Sequence, residues 1–129
     1  MAVQLNHHIV HARDAEASAA YLADVLGLPA PTRFGPFLVV EASNGVSLDF
    51  MTTAEEHVHP AHYAFLVADD EFDAIFGRIQ AQGVEYWADP HQTMPGEINH
   101  DWGGRGVYWS DPDGNWLEIL TVPYGGWPA

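Results

Sequence analysis

Residues 106–121, GVYWSDPDGNWLEILT, predict a β-hairpin around which the rest of the chain is organised. Two short runs rich in aromatic and β-branched residues flank the tetrapeptide DPDG, whose residue types are typical of a type I turn. Gly114 can adopt a positive φ where the second strand begins. Because side chains alternate along a strand, Trp116, Glu118 and Leu120 share one face. The Glu118 carboxylate therefore lies among apolar neighbours, where its charge needs compensation.

The composition excludes several classes of function. Eighteen Asp and Glu face four Arg and no Lys, and a formal charge of −14 argues against nucleic acid or an anionic membrane surface as a partner. Four cations also provide poorly for strongly anionic substrates. The absence of cysteine excludes disulfides, thiolate metal sites and cysteine nucleophiles. Without a signal-peptide or membrane-spanning pattern, we expect a cytoplasmic protein. Eight His in 129 residues favour metal chemistry.

Hydrophobic patterns predict strands at residues 5–12, 37–41, 46–51, 61–67 and 84–87. The first helix begins after the N-cap Asp14 and ends at Gly27. In the second helix, Asp69 or Asp70 is the predicted N-cap, and Gly83 is the predicted end.

Two connecting segments separate these elements. The polar segment 52–59 holds His57 and His59, which we expect to be solvated. The segment 89–104 is a long loop that could cover a ligand or be a plain insertion.

The two halves of the chain repeat each other. His7 and His62 each precede a predicted helix start by seven residues, and GVSLDF aligns with GNWLEI so that Asp49 matches Glu118. The repeat predicts an α+β fold of one domain, 1–129, with βαβββ halves at about 1–54 and 60–124. If a pseudo-twofold axis relates the halves, the cupped mixed sheet brings these four side chains together. Two His with a carboxylate suit Fe(II), and similar sets hold Zn²⁺ or Mn²⁺.

Three segments resemble the vicinal oxygen chelate superfamily: LNHHIVHARDAEASAAYLADVLGL, HYAFLVADDEFDAIFGRIQAQGV and RGVYWSDPDGNWLEILT. That superfamily includes glyoxalase I, extradiol dioxygenases, fosfomycin-resistance enzymes and bleomycin-resistance proteins. The resemblance implies a divalent ion (Fe(II), Mn, Zn or Ni) bound by His7, His62 and Glu118. Asp49 is a fourth ligand, an outer-shell partner or part of the pocket wall. The resemblance also implies a homodimer, with or without exchanged halves.

The leading hypothesis is a metal-dependent enzyme of the glyoxalase or dioxygenase type, acting on a small oxygen-chelating substrate. Glu118 is the candidate catalytic residue, because it or Asp49 could leave the metal and act as a base in the isomerase version. The alternative is a sequestering protein of the bleomycin-resistance type without catalysis, which aromatic residues and acidic charge would suit. A thiol transferase acting on a phosphonate antibiotic is third, and the shortage of cations argues against it.

Four further residues are candidates for the pocket. His11 shares the face of His7, and its equivalent, Leu66, favours a role in pocket shape over catalysis. Trp102 and Arg105 flank two glycines and are candidate substrate contacts. Tyr108 belongs to an aromatic group of the C-terminal half, in which we expect core or interface residues and one or two that stack on a ligand: Tyr108, Trp109, Trp116, Tyr124 and Trp127.

Overall fold

The chain divides into two units, Met1–His59 and Pro60–Ala129. A computed structural model describes residues 3–56 and 58–127, so the prediction for His57 falls outside the described residues. These residues form an α+β structure with two helices and two mixed sheets, which confirms the predicted fold class. In the described part, neither helix is long and apolar enough to span a membrane. The single domain over 1–129 and its half boundaries stay predictions.

The first unit is a complete βαβββ module. It contains, in chain order, β1 (His7–Ala12), α1 (Ala15–Leu26), β2 (Thr32–Phe34), β3 (Phe37–Glu41) and β4 (Ser47–Thr52). The strand order is β1-β4-β3-β2, with β1 parallel to β4 and the other pairs antiparallel. Both predicted helix ends are confirmed, because Asp14 accepts a hydrogen bond from the Ala17 N–H and Gly27 has φ 70°. The sequence patterns did not locate β2.

Burial in the first unit distinguishes the two faces of its sheet. Helix α1 packs against β3 and β4, and one sheet face is buried at Val10, Ala12, Val40 and Phe50. Burial of each larger side chain in this set, Val10, Val40 and Phe50, stabilises the folded state by about 1.5–3 kcal/mol. The opposite face, set by alternation along the strands, carries the predicted site residues His7, His11 and Asp49.

The second unit contains the hairpin predicted from the sequence. Its elements are β5 (His62–Leu66), α2 (Asp69–Ala81), a short 3-10 turn (Asp101–Gly103), β6 (Gly106–Ser110) and β7 (Trp116–Leu120). The strand order is β5-β7-β6. The Gly114 N–H donates to the Asp111 carbonyl at 3.0 Å and Gly114 has φ 85°, as the turn prediction requires. One sheet face is buried at Val107, Trp109, Leu117 and Ile119, and the other carries Glu118.

The predicted N-cap of α2 is wrong. Neither Asp69 nor Asp70 is the N-cap, which is Ala68, with extended backbone and no capping hydrogen bond from its side chain. Both aspartates lie inside the first turn instead. There their charges interact favourably with the partial positive charge of the helix start, so acidic residues serve the helix without capping it.

The predicted strand at residues 84–87 is also wrong. Only Trp87 pairs, through isolated bridges to Tyr108 and Pro95. The neighbouring carbonyl of Tyr86 accepts from the Gly96 N–H at 2.8 Å. The long loop therefore forms hydrogen bonds with backbone groups that would otherwise pair with a neighbouring strand. As a result, this sheet has three strands, whereas the sheet of the first unit has four.

Candidate metal centre

The Glu118 carboxylate is the polar centre of the second unit. Glu118 is 2% exposed, yet both of its oxygens have partners. The Tyr124 hydroxyl lies 2.8 Å from Oε1 and 3.0 Å from Oε2, and the His62 Nε2 lies 3.0 Å from Oε1. Hydrogen bonds to a charged acceptor are stronger than neutral ones and offset part of the cost of burying the carboxylate. Side chains of its own unit thus provide compensation that the sequence led us to expect.

Strand register brings His62 and Glu118 to the same face. β5 runs parallel to β7 with Ala64 opposite Glu118, and β6 runs antiparallel to β7 with Tyr108 opposite Glu118. Residues opposite each other in a sheet present their side chains to one face, and so do residues two places apart along a strand. His62, Glu118 and Tyr108 consequently meet on the side away from the buried face.

The turn before β7 also holds the start of β5. The Asn115 side chain, 2% exposed, accepts a hydrogen bond from the Ala61 N–H at 2.9 Å and donates to Asp111 Oδ2 at 2.8 Å. Asp111 Oδ1 in turn accepts from the Asn115 N–H at 2.8 Å. Because Ala61 directly precedes His62, this network fixes the backbone next to the candidate ligand.

Aromatic rings surround the carboxylate. Tyr108 lies 5.9 Å from the His62 ring in an edge-on arrangement and stacks on Trp116 at 6.0 Å, and Trp116 lies 5.3 Å from Trp87. Burial raises the pKa of Tyr108 above its ordinary value, and hydrogen bonds with Tyr124 and with the carboxylate raise it further. The Tyr108 hydroxyl therefore stays protonated and serves as a hydrogen-bond donor.

His62 and Glu118 fit neighbouring positions on a divalent ion. Imidazole nitrogen and carboxylate oxygen bind such ions at about 2.0–2.2 Å, so two donors at a right angle lie roughly 3 Å apart, and the observed N···O distance is 3.0 Å. The His62 side chain is 42% exposed, which leaves the imidazole accessible. Over its described residues, neither unit by itself gathers three His, Asp or Glu side chains in a metal-binding cluster.

The first unit repeats the register of the second. Ile9, two residues after His7, lies opposite Asp49 in the parallel pair of β1 and β4. The residue two places after His62 lies opposite Glu118 in the same way. The two histidines thus occupy equivalent places, each on the face of its sheet that carries the acidic residue, as the repeat predicted.

Two of the predicted site residues of the first unit, His7 and Asp49, form hydrogen bonds with residues close to them in sequence. His7 is exposed, and its Nδ1 lies 2.8 Å from Asn6 Oδ1. Asp49 is partly buried and accepts a hydrogen bond from the Ser47 hydroxyl at 2.8 Å. His11 is exposed on the same face as His7. Their roles as ligands or pocket residues stay predictions.

The long loop reaches the cleft beside Glu118. Trp102 is 60% exposed and has φ 57°, a conformation uncommon for a residue with a side chain. Such strain at a cleft is a feature of functional loops. The cleft is lined by Asn99, Asp101, Trp102, Arg105, Glu118, Leu120, Val122 and Tyr124.

Arg105, a candidate substrate contact, is anchored to α2. Its guanidinium lies 2.7 Å from Asp73 Oδ1 and 3.3 Å from Asp69 Oδ1, and its Cζ is 4.4 Å from the centre of the Phe72 ring. It also borders a separate cavity of about 340 Å³ that includes His100 and Trp127. The Arg105 guanidinium is thus engaged by carboxylates of α2, and these contacts hold the end of the long loop against that helix.

Comparison with known proteins decides the family. A family model described as Glyoxalase/Bleomycin resistance protein/Dioxygenase superfamily matches residues 4–119. The chain belongs to this superfamily. Its members include enzymes that act on small molecules, and the match confirms the resemblance to vicinal oxygen chelate proteins found in the sequence.

Two solved structures are similar to this chain over nearly its whole length. The structure of Oxidase ChaP-H1 is 66% identical, covers 97% of this chain and 100% of its own, and has a TM-score of 0.94. Oxidase ChaP-H2 is 58% identical over 98% of both chains, with a TM-score of 0.95. Among curated proteins, glutathione transferase FosA of Serratia marcescens is 27% identical over 125 residues, 92% of this chain and 81% of that protein.

Tyr124 is the site residue that sequence reasoning missed. The patterns assigned it to an aromatic group expected in the core or an interface, whereas its hydroxyl bridges the two Glu118 oxygens. It also lies beyond residue 119, where the match to the superfamily model ends. The one available signal was the Glu118 carboxylate, six residues upstream, whose charge needed compensation. Because β7 ends at Leu120, strand alternation does not extend to Tyr124.

Proposed function

We propose that the protein is a metal-dependent oxidase of the vicinal oxygen chelate type that acts on a small substrate through two of its oxygen atoms. The 66% identity to Oxidase ChaP-H1 over the whole chain carries this proposal. Oxidase ChaP-H2, at 58%, supports it. Glutathione transferase FosA is a much more distant relative, at 27%. The identity therefore favours oxidation by dioxygen over thiol transfer or isomerisation.

The proposed ligands are His7, His62 and Glu118, from a single chain or from two chains of a dimer with exchanged halves. Two imidazoles and one carboxylate with open positions suit Fe(II), and Mn, Zn and Ni are alternatives. The 3.0 Å separation of His62 Nε2 and Glu118 Oε1 supports this assignment. In His7, the Nδ1 contact with Asn6 makes Nε2 the nitrogen offered to an ion. Asp49 stays a candidate fourth ligand.

A divalent ion held there would polarise two substrate oxygens and stabilise the anion that forms when the substrate loses a proton. The protein's own contribution is positioning and exclusion of water. The rings of Tyr108, Trp116 and Trp87 provide an apolar wall next to the carboxylate. The Tyr108 hydroxyl, held protonated by burial, can donate a hydrogen bond. Trp102, at the rim of the cleft, is the candidate substrate contact on the loop.

Metal analysis followed by oxygen uptake tests the proposal. Protein purified under nitrogen should contain about one Fe, Mn, Zn or Ni per chain by elemental analysis. Loaded with Fe(II), it should consume oxygen with 1,2-dihydroxynaphthalene as a probe, and His62→Ala should abolish uptake. Isomerisation of the methylglyoxal–glutathione hemithioacetal without oxygen uptake would instead identify a glyoxalase. Protein that neither contains nor binds any of these ions would refute the proposal.

The second candidate function is sequestration of a flat or cationic drug. The row of aromatic rings and the formal charge of −14 favour it. Bleomycin binding with micromolar or tighter affinity, unchanged by chelator and without turnover, would establish this alternative. Thiol transfer to a phosphonate is less well supported, because Arg33 and Arg105 are already engaged by carboxylates.

We further propose that the protein works as a homodimer. Ile9 is 40% exposed and Leu66 is 52% exposed, each on the sheet face that carries the histidine of its unit. Apolar side chains on such faces favour cover by another sheet. Sedimentation equilibrium at micromolar concentration should give twice the chain mass, and a monomer would contradict this.

A further inference from the structure

The Tyr124 hydroxyl makes two contacts of nearly equal length with one carboxylate. It lies 2.8 Å from Oε1 and 3.0 Å from Oε2 of Glu118. A hydroxyl carries a single hydrogen, so these contacts describe one shared donor between the two oxygens. A donor placed between both oxygens restricts rotation of the carboxylate about its last bond, which is otherwise a soft torsion.

Tyr124 is exposed although its hydroxyl contacts a buried carboxylate. Tyr124 as a residue is 66% exposed, whereas Glu118 is 2% exposed. The ring therefore contributes little to a core, and its specific contact is the polar one with the carboxylate. A residue that served only to fill space in the core would be buried.

A second tyrosine supports the first. Besides burial, the Glu118 carboxylate raises the pKa of both Tyr108 and Tyr124, so both hydroxyls lie close to it. Tyr108 is 5% exposed and is fixed by its stacking on Trp116 at 6.0 Å. The exposed Tyr124 thus contacts the carboxylate beside a rigid, buried tyrosine.

We propose that Tyr124 is a positioning residue for Glu118, holding the carboxylate so that Oε1 faces His62 and both can bind one divalent ion. The proposal rests on the proposed function, in which Glu118 is a metal ligand. Groups that hydrogen-bond to a ligating side chain typically change metal affinity 10–100-fold when removed. The Tyr124→Phe change deletes only the hydroxyl and should weaken metal binding by about tenfold or more.

The test titrates Co(II) into metal-free full-length protein at 10 °C and follows its visible absorption, which reports coordination geometry as well as affinity. Wild type and Tyr124→Phe are compared with Tyr86→Phe, a matched control whose hydroxyl contacts Gln80 at 3.5 Å. We expect a higher Kd and an altered band shape for Tyr124→Phe, and wild-type behaviour for Tyr86→Phe.

A double-mutant cycle separates positioning from a general structural role. If Tyr124 acts through Glu118, the Glu118→Gln/Tyr124→Phe chain should bind Co(II) no more weakly than Glu118→Gln alone. Additive losses would overturn the proposal, as would a Tyr124→Phe chain that does not fold or that binds Co(II) like wild type. Wild-type protein that fails to bind Co(II), or binds it equally well with Gln at position 118, would overturn the proposed function as well.

Discussion

Replacing Glu118 by Gln should remove most of the stability that a bound divalent ion confers. At a free metal concentration of 100 times Kd, binding to the folded state adds about 2.7 kcal/mol. If losing the anionic ligand raises Kd about 100-fold, the same metal concentration adds only about 0.4 kcal/mol. In a chain of this length about 1 kcal/mol corresponds to ~3–4 °C in Tm, so the metal-induced shift should fall from roughly 8–11 °C to about 1–2 °C.

The metal-free comparison contains two opposing effects. Gln turns the hydrogen bonds with Tyr124 and His62 from charge-assisted into neutral ones, which costs about 1 kcal/mol each. Gln also removes a charge from a side chain that is 2% exposed, which favours the folded state. The informative quantity is therefore the difference between melts with metal and with chelator, taken separately for each protein.

The assay records thermal unfolding by circular dichroism for wild type and Glu118→Gln, each with EDTA and with Mn²⁺. Glu97→Gln is the matched control, because it makes the same chemical change at an exposed position. Its metal-induced shift should equal that of wild type. A wild-type Tm that does not differ between EDTA and Mn²⁺, or an equal metal shift in Glu118→Gln, would show that Glu118 is not a ligand.

Three further predictions concern the second unit. Asn115→Ala should lower the free energy of unfolding in urea by about 2–3 kcal/mol, because it leaves the Ala61 N–H without its partner; a loss below about 0.5 kcal/mol would contradict this. Burial raises the pKa of Tyr108 above its ordinary value of 10.0, so the unfolded chain ionises first. Stability should then fall as pH rises through 10, by up to about 1.4 kcal/mol per unit, with a smaller slope in Tyr108→Phe; equal slopes from pH 9 to 11 would refute the assignment. Arg105→Met should cost about 1 kcal/mol in urea through the lost contact with Phe72 and leave metal affinity unchanged; weaker metal binding would place Arg105 in the site.

Local chemistry made much of the fold predictable. The Asp14 cap, the Gly27 helix end and the turn at Gly114 each depend on residues close in sequence, and the structure contains all three. Alternation along β7 correctly separated Glu118 from its buried neighbours Leu117 and Ile119. The repeat was readable because equivalent positions keep the same spacing.

Predictions failed where backbone groups from another segment compete for the same hydrogen bonds. The β-branched and aromatic residues within 84–87 satisfy a strand pattern, but the loop at 94–96 forms hydrogen bonds with Tyr86 and Ala88. The N-cap of α2 was assigned wrongly because Asp69 suits both an N-cap and a first turn, and only backbone geometry distinguishes them. A sequence indicates which secondary structure a residue favours, but it does not indicate which hydrogen-bond partner lies close to that residue in the fold.

The sequence by itself determined the family, the repeated βα units and the pairing of a histidine with an acid in each, since these follow from residue types at fixed spacing. Only the tertiary structure decided that Tyr124 bridges the Glu118 oxygens and that Arg105 turns to Asp73. Both contacts join residues that do not share a strand or a helix. They form because a buried carboxylate and a guanidinium must each find a partner within hydrogen-bond distance, and chain folding determines which side chain that is.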